Sequence, residues 1–384
     1  RKEMARDSLG LAAHDPDIAT VIEAVAEWLA CAQDHSASAD GGVAHSYSLL
    51  TGWASSYPET TGYIVPTFIR LAREQRWLGH LTRARRMLDW LVSIQMRDGG
   101  FQGGKIDAQP RVPVTFNTGQ ILIGLAAGAT EFGLDQYGES MHRAAQFLRD
   151  SLDPDGCWRK HPTPFAAPGE KAYETHVAWG LFEAERLAPN QGYAAAARRQ
   201  IAWALTKQKP NGWVADCCLT NSSAPLTHTL GYYLKGLVEA HRFSGEPELL
   251  DAACRTADGL LRAQRPDGSL PGRLRADWSA AVNWSCLTGN VQIAESWLYL
   301  FGVTGQEQYA QVARRANAFV RRTVRLDEES EPEIRGGIKG SFPIDGDYGR
   351  LAYLNWAAKF TIDANLAERD LNRAAEVQSS AKTG

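Results

Sequence analysis

Apolar residues recur at helical spacing in one stretch after another of this chain, and the breaks between the stretches alternate in kind. The first run carries Ile18, Val21, Ile22, Val25, Trp28 and Leu29 and extends from Asp17, a ready N-cap, to about Gln33. It ends in a small polar segment and Gly41-Gly42, which need a permissive backbone. Tyr57-Pro58-Glu59-Thr60-Thr61-Gly62-Tyr63 then opens a second apolar helix, roughly Thr61 to Arg73. The cycle of helix, glycine turn, irregular segment and more apolar helix returns five times. Its pairs are Leu81 to Gln95 with Asn117 to Ala129, Met141 to Leu152 with Glu174 to Leu187, and Ala194 to Gln208 with His228 to Phe243. Leu249 to Gln264 with Leu287 to Phe301, and Gln306 to Val324 with Tyr353 to Ala364, complete the set.

The turn glycines at 42, 99, 156, 212 and 268 lie 57, 57, 56 and 56 residues apart, the mark of a structural repeat. One helical hairpin cannot bury its apolar face, so the units must pack side by side, and six can close on themselves. The second helix of each pair is the less charged, as in Ile121 to Ala129, whereas Ala194 to Gln208 and Gln306 to Arg322 carry basic stripes. The expected fold is therefore all-α, an (α/α)6 toroid of six helical hairpins with the less charged helices inside. An open solenoid of helical pairs is the alternative. Residues 1–366 form a single domain in this reading, and the aperiodic tail 367–384 is expected to fray from Glu368 onward.

A hydrophobic share of 44% and a charged share of 22% are those of an ordinary globular chain with a large core. The formal net charge of -3 and the lack of a Lys/Arg block argue against a nucleic-acid partner. No apolar run approaches a membrane span and no signal peptide opens the chain, which begins with Arg. The six cysteines contain no CxxC pair and read as free thiols of a reducing compartment, hence a cytoplasmic location. The 12 Trp and 12 Tyr suit a cavity that holds sugar rings or isoprenoid chains, although large aromatics mostly fill cores.

The turns QMRDGGF (Gln95 to Phe101), QKPNGW (Gln208 to Trp213) and QRPDGSL (Gln264 to Leu270) resemble those of terpenoid cyclase and protein prenyltransferase toroids. The chain also fits the related six-hairpin toroids of glycoside hydrolases, polysaccharide lyases and sugar epimerases. YPETTGY, VNWSCLTGNVQ (Val282 to Gln292), GSFPIDGDY and YLNWAAKF (Gly340 to Phe360) resemble an under-characterised toroid family associated with bacterial polysaccharide biosynthesis. The cyclase likeness lacks its Asp-rich acid motif, since Asp153-Pro154-Asp155 is short and sits in a turn. Asp216, Cys217, Cys218 and His228 only faintly echo the zinc sets of prenyltransferases and lanthionine cyclases, and no metal or cofactor is expected.

In such a toroid all inner helices begin on one rim, where their leading residues converge and helix N-termini favour negative groups. Glu59 and Glu174 are candidate general acids there, raised in pKa by a partly dry site, and His176 and His228 are candidate bases. Tyr57, Tyr63, Asn117, Trp158, Tyr173, Trp213, Trp284, Asn290 and Asn355 are candidate substrate-binding residues; Asn117, with Thr118 and Thr288, reads equally as a helix cap. Arg111, Arg159, Lys160, Lys171 and Arg273 cross the same rim as possible anion ligands or as solvated loop charges. The expected activity is on a polysaccharide or glycan intermediate by hydrolysis, elimination or uronyl epimerisation. An isoprenoid cyclase or transferase and a non-catalytic glycan- or partner-binding toroid are the alternatives. The sequence leaves oligomeric state open.

Overall fold

The computed structural model describes residues 1–74 and 79–383, with side chains as far as 377. After a short α1 (Lys2–Asp7), helices alternate between an outer and an inner ring. The outer ring is α2 (Ile18–Asp34), α4 (Gly79–Ile94), α6 (Asp135–Ser151), α8 (Tyr193–Leu205), α10 (Pro247–Ala263) and α12 (Glu307–Arg321). The inner ring is α3 (Pro58–Ala72), α5 (Thr115–Phe132), α7 (Thr175–Leu187), α9 (Thr227–Ser244), α11 (Leu287–Thr304) and α13 (Asn355–Thr383). Each inner helix packs on the next and α13 packs back on α3, so the ring is closed and an open solenoid is excluded.

Each outer helix leans on the inner helix that precedes it, α4 on α3 through to α12 on α11, with α2 on α13. The tight hairpins are thus inner-then-outer, whereas the glycine-turn segments are the long links that cross one rim. In α5 every residue from Thr115 to Ala126 is buried, and in α11 every residue from Leu287 to Ala294, because there an inner helix is covered on all sides; the amphipathic α6, α10 and α12 bury one stripe only.

The turn motifs fasten the outer ring. Gln264 Nε2 bridges Gly268 O (3.1 Å) and Val312 O (2.8 Å) on α12, and Gln95 and Gln33 do the same toward α6 and α4. Gly212 and Gly268 have φ near +84° and +93°, and a Cβ on either would lie 2.0 or 2.2 Å from a carbonyl oxygen of the next outer helix, so only glycine fits. In the first repeat the left-handed residue is Gly41, not Gly42.

Two small sheets tie the long links together. β1 (Ser46–Ser48) pairs with β2 (Gly52–Trp53) and with β5 (Ala352–Leu354), joining the first unit to the last, and β3 (Ser285–Cys286) pairs with β4 (Ser341–Phe342). The N-terminal segment straps this seam, with Asp7 receiving Lys339 at 2.5 Å and Glu3 receiving Arg325 at 2.6 Å.

The expectation of fraying from Glu368 is corrected. Helix α13 continues without a break to Thr383, and buried Glu368 accepts from Asn317 (2.8 Å) and Arg321 (3.0 Å) of α12. These partners come from the outer ring, which is why local periodicity did not reveal them. Gly384 lies outside the described residues.

Candidate functional site

All six inner helices begin beneath the long links, and a cavity of about 210 Å³ opens among them. Its floor is set by α3 and α9, which stand opposite each other in the six-membered ring. Tyr63 on α3 and Tyr232 on α9 meet hydroxyl to hydroxyl at 3.1 Å across the axis. One helical turn above them, toward the rim, stand Glu59 and His228, which therefore face the cavity from opposite sides.

Glu59 is only 7% exposed. Its Oε2 accepts from Tyr57 Oη (2.8 Å) and from Asn117 Nδ2 of the neighbouring α5 (2.8 Å). Burial raises its carboxyl to about 7, with the Tyr57 hydrogen bond opposing the rise, so near neutrality it exists in both forms. His228 donates Nδ1–H to Gln292 Oε1 (2.8 Å), which leaves Nε2 with its lone pair. Burial lowers the His228 pKa to about 4, so the imidazole is neutral.

His45, on the link before α3, is a third titratable group in the wall. Its ring packs tilted against Tyr57 (4.9 Å) and edge-on to Trp356 (4.8 Å), and burial, aided by Lys105, also lowers it to about 4. Tyr348 reaches in from the last link, accepts from Trp356 Nε1 at 2.8 Å and stacks on His228. Sequence reasoning missed His45, Tyr232, Tyr348 and the cavity-facing role of Trp356. Tyr232 was within reach of it, one turn after His228 as Tyr63 is one turn after Glu59. His45 and Tyr348 lie on irregular links, where no periodicity indicates direction.

Tyr57, Tyr63, Asn117 and Tyr173 line this cavity with Glu59 and His228, but the other candidates do not gather there. Glu174 and Trp158 line an adjoining chamber of about 420 Å³, which shares Phe116, Thr163 and Tyr173 with the first. His176 is wholly buried below the cavity, with Nδ1 on Gln120 Oε1 at 2.5 Å and its ring against Tyr232. Trp213 packs edge-on to Trp278, and Trp284 covers Gly272 and Gly346. Asn290 accepts Leu270 N at 2.8 Å and Asn355 donates to Ala44 O at 2.9 Å, so both tether links to helix starts. Thr118 does likewise, holding Phe101 N at 2.9 Å.

Three of the five rim cations are also engaged. Arg159 is held by Asp153, Asp155 and Glu170, Lys171 donates to Ala167 O and Cys218 O, and Arg273 donates to Ala224 O. Asp216 pairs with Lys207 and Cys217 Sγ donates to Thr229 O, so these do not converge with His228. No cluster of three or more potential metal ligands occurs among the described residues.

No protein-family profile matches the chain, and no curated protein sequence matches it. Solved structures do. An unsaturated glucuronyl hydrolase specific for heparin superposes with a TM-score of 0.73 at 13% identity, over 93% of this chain and 98% of that one. The unsaturated glucuronyl hydrolase of Bacillus sp. GL1, responsible for the degradation of glycosaminoglycan, matches at 0.73 and 12%, over 91% and 96%. The cellobiose 2-epimerase of Bacillus thermoamylovorans matches at 0.69 and 11%, over 92% and 98%. The chain thus has the (α/α)6 toroid fold that these sugar-acting enzymes share.

Proposed function

We propose that the protein is a carbohydrate-active enzyme that transfers protons to and from one sugar ring held in the central cavity. The observation that carries this reading is the opposition of Glu59 and His228 across a Tyr63–Tyr232 floor. A carboxyl raised to about 7 supplies a proton to one face of a bound ring, and a neutral imidazole accepts one from the other face. Tyr57 and Asn117 steady the Glu59 carboxylate after it has given its proton.

The surrounding Tyr, Trp and Phe rings offer flat apolar faces to a pyranose, and the fold is that of enzymes acting on sugars. Among the described residues Glu59 is the only carboxylate lining this cavity, and Glu174 belongs to the adjoining chamber. That division disfavours two-carboxylate glycoside cleavage. It favours reactions needing one acid and one neutral base on opposite faces, above all epimerisation, with hydration of an unsaturated sugar as the second reading. Among the described residues no Lys or Arg lines the cavity, so an uncharged ring fits better than a uronate.

Bacterial polysaccharide biosynthesis is the setting to which the sequence resemblance points, and six unpaired thiols accord with a reducing cytoplasm. No helix among the described residues is long and apolar enough to cross a membrane. The test is incubation with neutral aldose-ended oligosaccharides in D2O. Epimerisation places solvent deuterium on the inverted carbon, hydration of an unsaturated ring places it beside the attacked carbon, and simple glycoside cleavage leaves all ring carbons unlabelled.

A further inference from the structure

The chamber beside the central cavity is walled by Trp158, Phe116 and Tyr173 and roofed by the segment His161 to Gly169. Its floor carries Glu174, 7% exposed, whose Oε2 has no hydrogen-bond partner. A buried carboxyl oxygen without a partner is costly unless something else satisfies it. Burial raises this carboxyl to about 8, so it is an un-ionised acid able both to donate and to accept a hydrogen bond.

The roof is fixed rather than loose. Thr115 N donates to His161 O (3.0 Å), Ala167 N to Leu219 O (2.8 Å) and Ala172 N to Asp216 O (2.8 Å). Arg159 and Lys171, the two cations lining the chamber, spend their protons on Asp153, Asp155 and Glu170 and on the carbonyls of Ala167 and Cys218. Among the described residues no unpaired Lys or Arg lines the interior, so an anionic ligand has no counter-ion there. What remains is flat apolar wall with one donor-acceptor group at its base, the pattern that fits a pyranose with its hydroxyl edge down.

We propose that this chamber is a second sugar site, which takes an uncharged pyranose and grips its hydroxyls through Glu174. Phe116, Thr163 and Tyr173 line both it and the central cavity, so the two sites lie side by side, as the proposal needs for one ligand of two or more linked rings to occupy both. The inference deepens the proposed function by naming its substrate class, a neutral oligosaccharide, and it rests on that reading only for the ring in the central cavity.

Calorimetric titration of the full chain at about pH 6, where Glu174 is protonated, tests it with glucose and with the neutral disaccharides cellobiose, lactose and maltose. At least one disaccharide is expected to bind about tenfold or more tightly than glucose. Glu174→Leu is expected to remove that advantage while leaving glucose binding in place, and Glu174→Gln, which keeps a donor and an acceptor, to restore most of it. Equal binding of mono- and disaccharides by the unaltered protein, no binding of any disaccharide, or an advantage that survives Glu174→Leu would each overturn the proposal. Disaccharide binding that depends on Glu174 without any turnover would leave the chamber standing and count against the catalytic reading alone; turnover indifferent to Glu174→Leu would do the reverse.

Discussion

Tyr63 and Tyr232 join hydroxyl to hydroxyl at 3.1 Å across the toroid axis, linking α3 directly to α9. Because each residue lies four positions after a candidate catalytic group, the bond fixes the separation between Glu59 and His228. Tyr232→Phe is therefore expected to keep the ring packing against His228 (4.4 Å) yet loosen that spacing. A fall in kcat of about tenfold with little change in melting temperature would be the signature; a change in stability alone would mean that the bond is merely structural.

The acid and base set the pH profile. With His228 near 4 and Glu59 near 7, kcat/KM should rise through about pH 4, hold a plateau and fall through about pH 7 as Glu59 loses its proton. Tyr57→Phe removes a hydrogen bond that favours the carboxylate while keeping the ring beside His45. The alkaline limb should then move to higher pH. An alkaline limb that stays in place in this variant would assign it to another group.

Stability follows the same carboxyls. The ordinary carboxyl value is 4.5, and burial holds Glu59 near 7 and Glu174 near 8 in the folded chain. Below about pH 6.5 the buried imidazoles of His45 and His228, held near 4, oppose the carboxyls, because there the unfolded chain takes up protons that the folded chain does not. Between about pH 6.5 and 8 the carboxyls act alone: the folded protein keeps protons that the unfolded chain has released, so stability declines as pH rises through that window. Above about 8 the decline ends. Glu174→Gln should remove most of that decline, about 2 kcal/mol between about pH 6.5 and 8. Chemical denaturation at a series of pH values measures it, and a wild-type curve that rises across the window would contradict it.

Two structural predictions concern the frame. Gly212→Ala forces a Cβ to within 2.0 Å of Arg255 O at a residue with φ near +84°, at a cost of about 2 kcal/mol or more, seen as a lower melting temperature. Asp7→Ala leaves Lys339 with Glu3 as its remaining acid and frees Ile344 N, at about 3 kcal/mol. Ile344 begins the link that delivers Tyr348 to the cavity, so KM should rise as well. A normal KM would confine the strap to a stabilising role.

The ring was legible because its causes are local and repeated. The 56-to-57-residue spacing reports turns that only glycine can make against the next outer helix, and the inner helices carry fewer charges than the outer ones because more of their surface is covered. Half of the site was legible for the same reason: Glu59, His228, Tyr63 and Asn117 sit at fixed depths on inner helices. What could not be read is direction. Asn290 and Asn355 occupy the same rim as Asn117, but they turn toward the links and hold them. His176 is the second residue of its inner helix, as His228 is, yet Gln120 and Tyr232 enclose it below the floor. His45 and Tyr348 enter on irregular segments positioned by β1, β5 and the Asp7 contact, all of them long-range.

The account stands most directly on Glu59. The decisive measurement compares wild-type and Glu59→Gln protein in D2O with a panel of neutral oligosaccharides and unsaturated glycosaminoglycan disaccharides, with products read by mass and by proton NMR. The account predicts deuterium on one ring carbon of a turned-over sugar, and a loss of about 10²- to 10⁴-fold in that rate for the variant with its fold intact. Turnover that Glu59→Gln leaves unchanged, or cleavage without any ring-carbon label, would contradict it.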